Sequence, residues 1–230
     1  MEEKSYSSFY LEHQLNIDKQ LIKYRFEKEQ PFFIGKSCLE MGPADGIMTT
    51  YLADHFEILH VVDCEIKLLN EIPDLCNISK FQSLFENFAP PQKYDTIIME
   101  HILEHVEDPQ VILHKAKNWL NDNGVMIIGV PNAKSIHRLA AVKMGLLNSE
   151  YDLNQRDLSQ GHRRVYDSDL LEKEIQNAKL KIIHKGGVFL KVVSNQQIED
   201  HWNQNMIQGF YELSDLFPDN TADIFIIAEK

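Results

Sequence analysis

The chain has no cysteine pair at redox or metal-ligand spacing, no long apolar run and no stripe of positive charge. Its three cysteines, Cys38, Cys64 and Cys76, form no C-x-x-C pattern, which argues against a zinc ribbon or a thioredoxin-like centre. Two of them sit in or beside expected strands, where a buried free thiol is commonplace, and a reducing cytoplasm fits that usage best. No stretch approaches the roughly 18 apolar residues of a membrane-spanning helix. The opening "MEEKSYSSFY" is acidic and polar, unlike a secretory leader. Net charge is −12 with no basic tail, a poor match to a polyanionic partner apart from a local patch around "GHRRVY". A G-x-G-x-x-G fingerprint and a Gly-Lys-Ser/Thr loop are both missing, so nothing is arranged to cradle a pyrophosphate or triphosphate.

What is present is an ordinary globular composition: 230 residues, 43% apolar and 25% charged, enough for one domain with a sizeable core. Residues 5 to about 29 carry a helical stripe of Leu11, Leu15, Leu21, Ile22 and Phe26, interrupted near Asn16–Asp18 and ended by Pro31. Then "SCLEM", "EILHVVD", "KYDTIIMEH" and "VMIIGVPN" read as buried strands. Between them lie the helical patterns "MTTYLADHF", "IKLLNEI" and "PQVILHKAKNWL", with Asn123–Gly124 as a turn. This alternation predicts βαβ units and a parallel sheet covered on both faces. From 132 to 166 the rhythm breaks into a short basic helix and a polar loop. "DSDLLEKEIQNA" resumes as a helix capped by Asp167 or Ser168, and Gly186–Gly187 fit a final antiparallel hairpin. A helix around 197–216 and the strand "ADIFIIAEK" close the chain.

The most informative stretch is "CLEMGPADG", residues 38–46, a strand that breaks into a glycine turn with Glu40 before it and Asp45 inside it. Carboxylates in those places would repel a phosphate, so the ligand should carry positive charge. Asp63 ends the next strand, where a carboxylate can accept both hydroxyls of a ribose. Taken with "HVVD" and "YDTIIMEHILEHVEDPQVIL", this stretch resembles the class I S-adenosylmethionine-dependent methyltransferases, over roughly residues 36–131. The resemblance implies an α/β, Rossmann-like, seven-stranded and mostly parallel sheet with an antiparallel C-terminal hairpin. It also implies S-adenosylmethionine as cofactor. By position, Glu40, Gly42 and Ala44 form the cofactor turn and Asp63 takes the ribose. Leu84 and Phe85 flank the adenine, and Glu100 and His101 lie beside the methionine portion. Two departures stand out: Ala44 replaces the family's central glycine, and the adenine segment "KFQSLFENF" lacks the frequent aspartate.

"HILEH", residues 101–105, matches the H-x-x-E-H pattern of inverted zinc peptidases, whose histidines four apart share a helical face. The strand directly before it favours the methyltransferase alternative, a cofactor-packing segment that opens the next helix, and no metal is expected. Ligands in open parallel sheets sit beyond the carboxyl ends of the strands, so the 132–166 segment is the expected wall for a small-molecule acceptor. It offers Asn132, His137, Arg138, Arg156, His162, Arg163, Arg164 and Tyr166. The bases suggest an anionic acceptor such as a nucleotide-linked sugar, with His162 or His137 as the general base. The chain is thus expected to divide into an N-terminal cap (1–35), a cofactor half (36–131), an acceptor segment (132–166) and a completing unit (167–230). The N-terminal helix, with Tyr6, Tyr10, Tyr24 and Arg25, is expected to close over the cofactor, to serve as a homodimer contact or to pack across the sheet edge; nucleic acid and membrane are not expected. Methyl transfer to an oxygen or nitrogen is the leading reading. The rivals are a non-catalytic cofactor-binding protein and a nucleic-acid methyltransferase, which would want Asn/Asp-Pro-Pro-Tyr/Phe where "MEHI" stands.

Overall fold

The computed structural model describes residues 15–230, so Leu11 of the N-terminal stripe, and Tyr6 and Tyr10 of the same segment, lie outside the described residues. Five strands, β1 (Ser37–Met41), β2 (Ile58–Asp63), β3 (Ile78–Gln82), β4 (Tyr94–Glu100) and β5 (Leu120–Pro131), run parallel. Two more, β6 (Lys181–Val188) and β7 (Asp223–Glu229), complete a seven-stranded sheet of order β3-β2-β1-β4-β5-β7-β6. β7 is antiparallel to both β5 and β6. This is the expected Rossmann-like sheet with its antiparallel hairpin. No helix among the described residues is long and apolar enough to cross a membrane.

Strand periodicity splits the core between the two faces of the sheet. Leu39 and Met41 point into one cluster with Ile112, Leu113 and Ala116 of α4 (Pro109–Trp119) and Leu171 and Ile175 of α7 (Ser168–Asn177). Cys38 points the other way, among Leu21 of α1 (Asn16–Glu29), Leu52 of α2 (Ile47–Ala53), Ile198 of α8 (Asn195–His201) and Ile207 of α9 (Gln204–Glu212). Each such buried aliphatic side chain contributes about 1.5–3 kcal/mol. Glu40 falls on the Cys38 face, so the strand that builds the core also drives a carboxylate into it.

Local chemistry explains where elements begin. Asp108 accepts the backbone N–H groups of Gln110 (2.9 Å) and Val111 (3.4 Å), with Pro109 in the first turn. Asp167 caps α7 by accepting from Leu170 N–H at 2.8 Å. The interruption expected at Asn16–Asp18 is instead the start of α1, because the Asp18 carboxylate accepts the Leu15 N–H at 3.0 Å. Asn123–Gly124 is not a turn between elements. Both lie inside β5, whose pairing with β4 jumps from Leu120 opposite Tyr94 to Val125 opposite Thr96. The expected helix at 197–216 is two helices, because Asn203 caps a second one by accepting Met206 N–H at 3.0 Å. The sequence pattern shows neither β3, a half-buried edge strand, nor α6 (Gln155–Gln160), which follows α5 (Ile136–Lys143) in the 132–166 segment.

Candidate active site

The glycine turn sits where β1 ends. Gly42, Ala44 and Gly46 all have positive φ, +68°, +49° and +77°, and a Cβ at Gly42 would overlap Ile102. Glycine meets these demands freely, whereas Ala44 sits in the left-handed region at a cost of about 1–2 kcal/mol. Glu40 is 2% exposed and its carboxylate accepts from the Thr49 hydroxyl at 2.6 Å. Burial pushes its pKa up to about 8 against the lowering effect of Thr49, so a cation arriving nearby would return it to the carboxylate form.

Asp63 ends β2 beside this turn, since Gly42 N–H donates to Val62 O at 2.9 Å and Ser83 N–H to Asp63 O at 3.0 Å. Its carboxylate accepts the Glu65 N–H at 2.8 Å, and burial pushes its pKa up to about 6. The Phe85 ring approaches to 3.7 Å of the space beside Gly42, while Leu84 is 51% exposed. Asp63, Leu84 and Phe85 flank the main cavity and do not line it.

That cavity begins at the turn and runs over the end of β4. Glu100 closes β4 with its carboxylate lying over Gly129, its register partner on β5, where a Cβ would overlap it. His101 follows at φ +55°, a conformation that a non-glycine residue holds only when its surroundings impose it. Arg25 reaches across from α1 to within 3.6 Å of Glu100 Oε2 and 3.7 Å of Asp223 Oδ2. His101 Nε2 lies 3.6 Å from Asp223 Oδ1. Both carboxylate oxygens of Glu100, Arg25 Nε and His101 Nε2 are buried without a hydrogen-bond partner among the described residues. Burial raises the pKa of Glu100 against the pull of Arg25, whereas His101 and Arg25 hold Asp223 low despite its burial.

Groups in that condition are costly unless a ligand completes them. The methionine end of S-adenosylmethionine offers what is missing. An ammonium is a donor of the kind these oxygens lack, a carboxylate is an acceptor of the kind an arginine takes, and the sulfonium adds a positive charge. Sequence reasoning marked Glu100 and His101 for this end and placed Arg25 on a helix that could close over the cofactor; it did not mark Asp223, which joins them only through the sheet order.

The acceptor segment looks different. His137 and His162 both line the cavity. Burial lowers the pKa of His137 to about 3, helped by Lys191 and Arg138. Burial lowers that of His162 to about 4, opposed by Asp157. Neither is tuned as a base near neutral pH in this arrangement. The arginines are engaged in architecture. Arg138 pairs with Asp157 at 3.1 Å and donates to the carbonyls of Glu150 and Asp152. Arg156 reaches Asp18 at 2.9 Å. Arg164 clamps the carbonyls of Leu103, Val106 and Glu107 at 2.8–3.0 Å, and Arg163 is exposed. Asn132 spends its amide on the Asp219 and Thr221 carbonyls, both at 2.9 Å, and buried Tyr166 anchors Ala133 N–H at 2.7 Å.

Arg25, Arg138, Arg156 and Lys191 all line the cavity, and the sequence did not single out the last of these. Lys191, just past β6, makes no ion pair among the described residues, and burial lowers its pKa to about 8. "HILEH" also departs from expectation. Residues 101–107 form no helix, so His101 and His105 share no helical face.

Comparison with known proteins agrees with this geometry. Residues 11–185 match the model of a methyltransferase domain family. A ubiquinone biosynthesis O-methyltransferase of Vibrio atlanticus is 27% identical over 127 residues, 52% of each chain. An (S)-coclaurine N-methyltransferase of Thalictrum flavum is 24% identical over 102 residues, 41% of this chain and 28% of that one. The chain thus spans about half or less of the length of these curated relatives. The N-methyltransferase NodS of Bradyrhizobium japonicum, solved with S-adenosylhomocysteine, superposes at a TM-score of 0.59 with 14% identity, covering 96% of this chain and 90% of that one. Strand order, glycine turn, buried carboxylates and family match agree: the chain belongs to the methyltransferase domain family, with the class I fold and a site suited to S-adenosylmethionine.

Proposed function

We propose that the protein transfers a methyl group from S-adenosylmethionine to an oxygen or nitrogen of a small acceptor held against residues 132–166. One observation carries this reading. A single cavity joins the glycine turn, the Arg25–Glu100–His101 cluster and the acceptor wall of His137, His162 and Lys191. Cofactor and acceptor therefore share one space, as an in-line displacement requires. In that step the acceptor atom bonds to the methyl carbon as the sulfur–carbon bond breaks. The bonding pair returns to sulfur, giving the neutral thioether, and the acceptor's proton leaves to solvent. Asp63 accepts the ribose hydroxyls, Glu100 and Arg25 fix the methionine end, and Phe85 lies toward the adenine.

The acceptor's charge follows from which cations remain. Of the cations that line the cavity, Arg25, Arg138 and Arg156 each sit against a carboxylate, which leaves Lys191 as the one with no ion pair among the described residues. A single ammonium suits one carboxylate or other monoanionic group better than the diphosphate of a nucleotide-linked sugar. The test is calorimetry with S-adenosylmethionine, followed by an acceptor screen read by mass spectrometry for one added methyl group. Carboxylated acceptors should turn over, with KM rising at least about tenfold in Lys191→Met and cofactor affinity unchanged. Cofactor binding without turnover of any acceptor would favour the non-catalytic alternative.

A further inference from the structure

"HILEH" supplies a group that the cofactor reading leaves without a role. Glu104, His105 and His162 each offer a ligand atom, and these atoms lie within 4.8 Å of one another. Glu104 is 0% exposed, and neither carboxylate oxygen has a hydrogen-bond partner among the described residues. His101 Nδ1 lies 3.3 Å from its Oε1. A fully buried carboxylate without donors is costly to keep. The two imidazoles meet edge to face, with ring centroids 4.7 Å apart.

The surroundings orient all three. The Gly161 backbone lies against the His105 ring, and His162 Nδ1 faces Asp157 Oδ1 at 3.6 Å. A carboxylate held against one ring nitrogen orients the imidazole and leaves the other nitrogen over, the usual arrangement of a metal-bound histidine. The segments are locked in register as well. Arg163 N–H donates to Glu104 O at 2.8 Å, and the Arg164 guanidinium clamps the carbonyls on either side of Glu104 and His105. The role of Arg164 is thus to hold this loop in place.

We propose that Glu104, His105 and His162 bind one divalent transition-metal cation of the zinc, cobalt or iron(II) class at the acceptor wall. Two imidazoles and a carboxylate select such ions over magnesium or calcium, and three protein ligands leave positions open. Because His162 also lines the cavity, while Glu104 and His105 do not, a cation held by all three sits at the edge of the cavity. A cation there withdraws electron density from an acceptor hydroxyl, favouring loss of its proton without a histidine base. That catalytic role rests on the function proposed above; the binding itself does not.

Chelator-treated full-length protein is titrated with Zn²⁺ by calorimetry and with Co²⁺ by visible absorption. The expected result is one equivalent bound at micromolar Kd or tighter. Glu104→Gln, His105→Gln and His162→Gln should each weaken it at least about tenfold, while His114→Gln, on the exposed face of α4, should not. Circular dichroism identifies any variant that fails to fold; should Glu104→Gln fail, the two histidine variants carry the test. Failure to take up one equivalent, or equal uptake by all variants, overturns the proposal. Titration with S-adenosylmethionine in parallel keeps the readings apart. Cofactor binding without metal uptake removes only this site, and metal uptake without cofactor binding removes only the proposed function.

Discussion

The cofactor face and the acceptor wall are both rich in charge, yet they treat it in opposite ways. At the strand ends, Glu100, Arg25 and His101 are half-buried, each with a buried polar atom that has no hydrogen-bond partner among the described residues. Across the cavity, Arg138, Arg156 and Arg164 have their charges met by Asp157, Asp18 and backbone carbonyls. A buried group that is incomplete points to a ligand; one that is complete belongs to the scaffold. The same test separates Glu104, which is orphaned, from Asn132, which is not.

Exchanging one residue on each side should break the comparison most visibly. Arg138→Ala leaves the Asp157 carboxylate buried without its cation, at a cost of about 3–5 kcal/mol in unfolding free energy. Denaturant melts should show that loss, and S-adenosylmethionine should bind the surviving folded protein with unchanged affinity. Gly129→Ala should do the reverse. The nearest atoms its Cβ would meet are the movable carboxylate end of the Glu100 side chain, so the fold persists. Cofactor affinity should nevertheless fall at least a hundredfold, or about 2.8 kcal/mol.

Asp63 gives a smaller, pH-dependent version of the contrast. Burial raises its pKa from 3.8 to about 6, so the charged form is disfavoured in the fold. Its contribution to stability is fully present below pH 3.8 and is lost as pH rises through about 6. Asp63→Asn should therefore raise the melting temperature of the ligand-free protein at pH 7 and weaken S-adenosylmethionine binding about tenfold, about 1.4 kcal/mol. In the parent protein, cofactor affinity should decline as pH falls through about 6, when Asp63 protonates; Asp63→Asn should not show that decline. Ala44→Gly carries the smallest effect. Relief of the +49° φ is partly offset by glycine's unfolded-state entropy, for a net gain of up to about 1 kcal/mol in chemical denaturation.

The sequence revealed some of this and hid the rest for physical reasons. Glu40, Gly42 and Asp63 were legible because a buried strand breaking into a glycine turn has a local signature. The helix starts at Asp108 and Asp167 were legible because capping is local too. β3 was not, since a half-buried edge strand has little apolar periodicity. Arg25, Asp223 and Lys191 lie far apart in the chain and converge only when β7 inserts beside β5. The arginines of the 132–166 segment were visible as a cluster. Their pairing was not, because Asp18, Asp157 and the 103–107 carbonyls come from other parts of the chain or of the loop.

The most direct test is calorimetric titration of the wild-type protein and Gly129→Ala with S-adenosylmethionine and S-adenosylhomocysteine. The account predicts one site on the wild type with micromolar affinity for both, about −8 kcal/mol, and severe loss in the folded variant. No heat of binding to the wild type at millimolar ligand, or equal affinity in the two proteins, would contradict it.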